Sequence, residues 1–145
     1  MIRNNISLCT FDFTGCGNSE GEYVTLGYNE WKDVEEVYNY VRGKKKVTQI
    51  GLWGRSMGAV TALKYAHKNP EIKVVVFDSP FKNLKSLISD ICKKNSKIPS
   101  IILNGALKII SKTIKDKANF DIYDLDPIKD DAPHIQAPGF FIVGE

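Results

Sequence analysis

Gly54, Ser56 and Gly58 form the pattern G-x-S-x-G, in which one serine hydroxyl lies between two glycines. The pattern follows an apolar run and precedes helix-forming residues, which is the strand-to-helix setting of a nucleophile elbow. Such a turn holds its serine in a strained backbone conformation, so that the oxygen projects into a cleft. We therefore predict that Ser56 is a catalytic nucleophile. We also predict that Met57 offers its backbone N–H to an oxyanion, and that no Cβ fits at either glycine.

A serine nucleophile needs a base and an acid, and the sequence offers few candidates. His67 lies 11 residues after Ser56 on the same predicted helix, roughly 16 Å away and out of reach of its proton. His134 precedes the last predicted strand and should lie at the opposite edge of the sheet, so we interpret it as a loop histidine. Asp78 ends a strand at the same edge as Ser56. It is the candidate acid, and its alternative role is to hold a loop or cap a helix.

The elements that would position these residues alternate along the chain. Strands are predicted over 6–13, 47–53, 72–77 and 139–143, where β-branched and aromatic residues cluster between turn signals. Helices are predicted over 29–41, where apolar residues recur at spacings of three and four, and from Ser56 to the stop at Asn69 and Pro70. This alternation favours a mostly parallel sheet of about four strands in a three-layer α/β fold, formed by residues 1–145 as a single domain.

Two consecutive helices, over 85–94 and 100–117, interrupt the alternation and define a cap-like segment at about 83–118. In the second helix the apolar residues are predicted to share one stripe, with lysines over much of the remainder; they are Ile101, Ile102, Leu107, Ile110 and Ile114. Three interpretations stay open: a helix packed on the sheet, a cap over an active site, and a face that contacts a membrane. Residues 121–138, rich in aspartate and proline, are predicted to be irregular.

The composition narrows the classes of function. With 43% hydrophobic and 26% charged residues among 145, the chain should fold as one soluble globular unit. A net charge of +3 is too small to indicate nucleic-acid binding. The glycine-rich stretch 15–21 has the wrong spacing for a dinucleotide loop, so we predict no cofactor. The cysteines lack zinc-site or disulfide spacing, so we predict no metal and, with no export signal, a cytoplasmic location; they are Cys9, Cys16 and Cys92.

Four stretches of the sequence resemble one superfamily. Residues 12–21 are similar to its D-x-R-G-x-G-x-S-x-G loop, with Thr14 where arginine is usual, and residues 52–59 resemble its elbow. Residues 77–81 are similar to the end of its next strand, and residues 137–144 are similar to the strand that precedes its acid. On these motifs the chain is identified as resembling the α/β-hydrolases, in the branch of abhydrolase-domain esterases, serine aminopeptidases and prolyl-oligopeptidase-like proteins.

The resemblance implies a serine hydrolase acting on carboxylic esters or thioesters, with a small acyl-ester or lipid-like substrate. In that superfamily an H-G loop precedes the region matched here, while the acid and the histidine follow the strand at 139–143. We therefore expect a fragment that lacks acid and base, is poorly active alone, and has an exposed sheet edge that favours self-association. The alternative is a non-catalytic binding module on a hydrolase scaffold.

Overall fold

The computed structural model describes residues 6–44, 46–95 and 99–144. The helices are α1 (Trp31–Arg42), α2 (Met57–Lys68), α3 (Leu84–Asn95), α4 (Ser100–Ala118) and α5 (Pro127–Asp130). The strands are β1 (Leu52–Arg55), β2 (Val75–Asp78) and β3 (Gly139–Ile142). Strands and helices alternate up to β2, and α3 to α5 then separate β2 from β3. The predicted α/β class is confirmed.

The sheet is parallel, with the strand order β1-β2-β3. Its register places Arg55, Asp78 and Ile142 at one level, and each is the last residue of its strand. Helix α2 connects β1 to β2 and packs on both strands. All three strands therefore deliver their carboxyl ends to the same edge, where loops that bind ligands gather in open α/β sheets.

Segment 6–13, predicted as the first strand, is not a strand in this structure. Its β-branched and aromatic composition reports a preference for extended backbone, but a strand exists only where a neighbouring strand supplies hydrogen-bond partners. Within the described ranges this segment joins no ladder, so the sheet there has three strands rather than about four. The other strands are also shorter than predicted, at four residues each.

The core consists of two clusters that share α2. The first lies between α1, α2 and the sheet and includes Val34, Leu63 and Phe77. The second joins Val60 of α2 to the cap-like segment and includes Leu84 and Leu107. Since α2 contributes to both clusters, seven of its twelve residues are buried, and the helix holds its place against the sheet and the cap at once.

The two faces of the sheet differ in how they are covered. Phe77 and its neighbours on one face pack against α2, whereas Trp53 and Phe140, paired across β2 on the other face, are 59% and 62% exposed. Within the described part of the chain the predicted third layer is therefore not present. The predicted self-association through a sheet edge stays a prediction, and this apolar face is the surface beside that edge.

Residues 121–138, predicted to be irregular, contain α5 and two 3-10 turns, Ile122–Asp124 and Ala132–His134. The aspartates explain the error, because they cap helices here rather than loosen the chain. The side chain of Asp121 accepts a hydrogen bond from the backbone N–H of Tyr123, and the side chain of Asp126 accepts one from the N–H of Lys129. Pro127 takes the first position of α5, where its missing N–H is not needed.

Helix α4 packs on the second core cluster through Leu103 and Leu107. The predicted stripe is wrong in one respect, because Ile102 points away from that cluster and is exposed. Residues 102 and 107 are five apart, which on an α-helix places them on different sides. No helix in the described ranges is both long and apolar enough to cross a bilayer.

Candidate active site at the strand-to-helix turn

Ser56 lies between the last residue of β1 and the first residue of α2, with backbone angles of φ 50° and ψ −113°. An L-residue rarely adopts such a positive φ, so the conformation is strained. The surrounding backbone fixes it: the Ser56 N–H donates to the carbonyl oxygen of Asp78 at 2.8 Å, and the Ser56 carbonyl accepts from the N–H groups of Ala59 and Val60. The turn is thus held by both β2 and the start of α2.

The two glycines of the motif differ in what their absent side chains would meet. A Cβ built on Gly54 would overlap the Gly58 carbonyl group and would lie 2.6 Å from the Ala59 nitrogen. A Cβ built on Gly58 would have no neighbour within 4 Å among the described residues. The prediction that both glycines are required by space is therefore right for Gly54 and wrong for Gly58, because the close approach is on the Gly54 side alone.

The Ser56 hydroxyl is available for chemistry. Ser56 occupies the N-cap position of α2, yet within the described part of the chain its side chain makes no capping hydrogen bond, and the residue is exposed. The first N–H groups of a helix have no partner inside it and carry the positive end of the helix dipole. The Met57 N–H is the first of these groups, so a negatively charged oxygen bound at this turn would meet a favourable field.

Asp78 lies where the sequence predicts it, on the same edge as Ser56 and one strand away. Its carboxylate accepts a hydrogen bond from Ser79 Oγ at 2.9 Å, and its Oδ2 lies 3.9 Å from Arg55 Nε. These contacts hold the loop after β2, and Ser79 itself has a positive φ of 53°. Neither histidine of the sequence is among the contacts of Asp78. Whether it serves as an acid stays a prediction.

Both histidines lie together at the carboxyl end of α2, remote from the turn. His67 Nδ1 is 2.9 Å from Asp131 Oδ1, and the His67 ring stacks on the His134 ring with centroids 5.0 Å apart. His134 ends the 3-10 turn that follows α5, as predicted for a residue just before the last strand. The contact ties α2 to the segment before β3. It does not bring an imidazole to Ser56, since α2 has 12 residues and extends about 18 Å.

Two carboxylates at the start of α1 have structural roles that were not predicted. Glu30 is buried, and it accepts hydrogen bonds from the hydroxyl of Thr25 and from the N–H of Gly27, both at 2.7 Å. This anchors the loop before α1 against Val60 of α2. Asp33 accepts two hydrogen bonds from Thr14, each of 2.8 Å. Thr14 therefore has a defined partner at the position where arginine is usual.

A cavity of about 210 Å³ lies between the loop at 23–26 and the helices α3 and α4. Its walls are mostly apolar and include Leu26, Ile88 and Phe120. None of its wall residues belongs to the turn at Ser56, so it is not itself the site of chemistry. Within the described ranges, no three His, Cys, Asp or Glu side chains are grouped so as to hold a metal ion.

A parallel sheet joined by crossover helices, with a glycine-flanked serine at a strand-to-helix turn, is the architecture of an α/β-hydrolase. The family described as "Serine aminopeptidase, S33" matches residues 1–142. The chain belongs to that family of hydrolases.

Similar proteins add a solved structure and two sequences. The esterase Pf2001 of Pyrococcus furiosus superposes with a TM-score of 0.63 at 26% identity, over 92% of this chain and 47% of its own. A probable septum site-determining protein MinC of Clostridium kluyveri is 29% identical over 117 residues, 79% of this chain and 52% of that protein. An uncharacterised protein of Acanthamoeba polyphaga mimivirus is 28% identical over 104 residues, which are 65% of this chain and 35% of that protein. The chain thus spans about half the length of the first two.

Proposed function

We propose that this chain carries the nucleophile of a serine hydrolase acting on carboxylic esters or thioesters, and that the nucleophile is Ser56. The observation that carries the proposal is the strained backbone of Ser56 at the amino end of α2, with its hydroxyl exposed and unused for capping. A protein retains a strained non-glycine residue where the surrounding structure fixes it, and such residues cluster at active sites. Family membership and the likeness to an esterase support the same reaction class.

In this reaction Ser56 Oγ bonds to the carbonyl carbon while its proton passes to a base. The bond from that carbon to the leaving oxygen or sulfur then breaks, the leaving group takes up the proton, and water releases the acid from the acyl-enzyme. The Met57 N–H stabilises the oxyanion of each tetrahedral intermediate. Gly54 permits the close approach of β1 and α2 that sets this geometry.

Among the described residues, no histidine that could act as the base lies near Ser56. Both histidines lie at the other end of α2, and a serine hydroxyl remains protonated at neutral pH without a base within hydrogen-bond reach. We therefore propose that the 145-residue chain by itself turns over esters slowly, and that a base in solution restores the first step.

We propose an acyl or lipid-like ester as the substrate, because the segment over the second core cluster is apolar. The cavity of about 210 Å³ beside α3 and α4 is larger than an engineered apolar cavity of about 150 Å³ that binds benzene. An alkyl group of modest length therefore has room in this part of the protein.

The test is labelling with a fluorophosphonate, with and without added imidazole, followed by peptide mapping. We expect phosphonylation of Ser56 that depends on imidazole and is lost in Ser56→Ala. The matched control is Ser79→Ala, because Ser79 lies on the same sheet edge with a positive φ and an exposed side chain but does not begin a helix. That variant should label as the parent does.

The alternative function, a non-catalytic module on the same scaffold, is favoured by one observation, the distance of both histidines from Ser56. It predicts a folded chain in which Ser56 is not labelled at any imidazole concentration. That outcome would overturn the hydrolase proposal.

A further inference from the structure

Helix α4 has an inner side and an outer side with different contacts. Leu103, Leu107 and Ser111 succeed one another at intervals of four residues and are buried, so they mark the inner side. Side chains three to four residues apart share one side of a helix, and residues seven apart lie almost directly in line. Ile102 and Ile109 are seven residues apart, so one line along the helix passes through both. We call the side that this line follows the outer side.

The outer side exposes isoleucine. Ile102 is 62% exposed and Ile109 is 70% exposed, and the residues between them on that side, Gly105 and Ala106, are exposed and carry no polar group. The same line ends at Asp116, seven residues after Ile109. The apolar strip therefore lies in the first half of α4, which has 19 residues. We call the residues from Ile102 to Ile109 on this side the outer strip.

Positive charge surrounds the outer strip. Lys108 and Lys112 are exposed beside Ile109. The cap-like segment 83–118 contains eight lysines and two aspartates, a net charge of +6, while the whole chain has +3 and the remainder therefore −3. The charge of this protein is thus divided, and its positive part contains the outer strip.

We propose that the outer strip of α4 docks on an anionic lipid surface. Exposed branched alkyl groups with lysines at their sides are the composition of helices that lie in the interface of a bilayer, where the alkyl groups enter the acyl boundary and the ammonium groups meet lipid phosphates. Lysine stems also pack along apolar surface while their charges stay in water. An acidic protein or a nucleic acid would use the lysines but would give Ile102 and Ile109 no apolar environment.

The surface belongs to the cap-like segment, on the side of α4 opposite to the core. Docking there leaves Ser56 untouched, so the proposal does not depend on the proposed hydrolase activity. Conversely, failure of the labelling test at Ser56 would not affect it.

The test is flotation with vesicles of phosphatidylcholine alone and of phosphatidylcholine mixed with phosphatidylserine, using the full 145-residue chain. We expect binding to the mixed vesicles only, weakening as salt is added. The double variant Ile102→Ser/Ile109→Ser should lose most of this binding, and Lys108→Gln/Lys112→Gln should weaken it by on the order of tenfold or more. The matched control is Tyr40→Ser on α1, which removes an equally exposed apolar side chain and should bind as the parent does.

Three outcomes would overturn the proposal in a chain that remains folded by circular dichroism. One is equal binding to neutral and mixed vesicles. Another is binding that Ile102→Ser/Ile109→Ser leaves unchanged. The third is no flotation with either kind of vesicle. Binding to polyglutamate that the isoleucine variant retains would then assign the surface to an acidic polypeptide.

Discussion

The two ends of α2 differ in their side chains and in what holds them in place. At the amino end, Ser56 offers an exposed hydroxyl in a strained turn beside free helix N–H groups. At the carboxyl end, His67 is hydrogen-bonded to Asp131 and stacked on His134, which is a histidine and carboxylate pair without a nucleophile. The hydroxyl, imidazole and carboxylate that a serine hydrolase combines are therefore separated here by the length of α2.

The difference teaches that residue types alone do not make a catalytic site. The pair at the carboxyl end fastens α2 to the segment before β3, because a buried carboxylate needs a hydrogen-bond donor and His67 supplies it. At the amino end, Ser56 is held through hydrogen bonds of its own backbone N–H and carbonyl, which leaves its side chain free. A helix of 12 residues keeps the two ends about 18 Å apart, so substitutions at one end should not be felt at the other.

The largest effect is expected from Gly54→Ala. The new Cβ would overlap the backbone of Gly58, and neither backbone can move without breaking the turn, so we expect a loss of at least about 3 kcal/mol in the free energy of unfolding. Urea denaturation measures it. The control is Gly58→Ala, which has open space and should be neutral or more stable by about 0.5 kcal/mol. Equal losses in the two variants would show that the close approach is not on the Gly54 side.

Next in size is His67→Ala at the opposite end of α2. The variant removes the donor to the buried Asp131 carboxylate, and we expect a loss of about 2 kcal/mol in the free energy of unfolding. Imidazole-dependent labelling of Ser56 should be unchanged at temperatures where the variant is folded. A change in the labelling rate would mean that the two ends of α2 are coupled.

A smaller effect of opposite sign is expected from Ser56→Gly. Glycine adopts positive φ without strain, and after its greater freedom in the unfolded chain is subtracted we expect a gain of about 1 kcal/mol in the free energy of unfolding. Ser56→Ala keeps the strain and should stay within about 0.5 kcal/mol of the parent. Thermal or urea unfolding of the three proteins checks the order. A glycine variant no more stable than the alanine variant would remove the evidence for strain.

The smallest effect concerns Asp121, three residues after the end of α4. The hydroxyl of Ser111, the N–H of Tyr123 and the charge of Lys115 hold the pKa of Asp121 below its usual range. A lowered pKa in the folded state contributes stability above the unfolded pKa, and that contribution is lost as pH falls through the folded pKa. Asp121→Asn should therefore be less stable than the parent at neutral pH, with a difference that vanishes in acid. A difference independent of pH would contradict this.

The sequence predicted the parts of the molecule that depend on local pattern. The turn at Ser56, the crossover helix after it and the placement of Asp78 on the same edge follow from a motif and from strand direction, which short stretches encode. The strand expected over 6–13 failed because pairing depends on a neighbour that composition does not report. The pairing of His67 with Asp131, 64 residues apart, and the burial of Glu30 depend on tertiary packing. No periodicity in the sequence indicates the His67–Asp131 pair or the burial of Glu30.

The most direct test of the separation between the two ends of α2 is the rate at which a fluorophosphonate labels Ser56 in His67→Asn/His134→Asn and in the parent, measured over a series of imidazole concentrations. The account predicts the same rates in both proteins, rising with imidazole and negligible without it. Labelling of the parent without imidazole that disappears in the double variant would contradict it, because one of these histidines would then be the base.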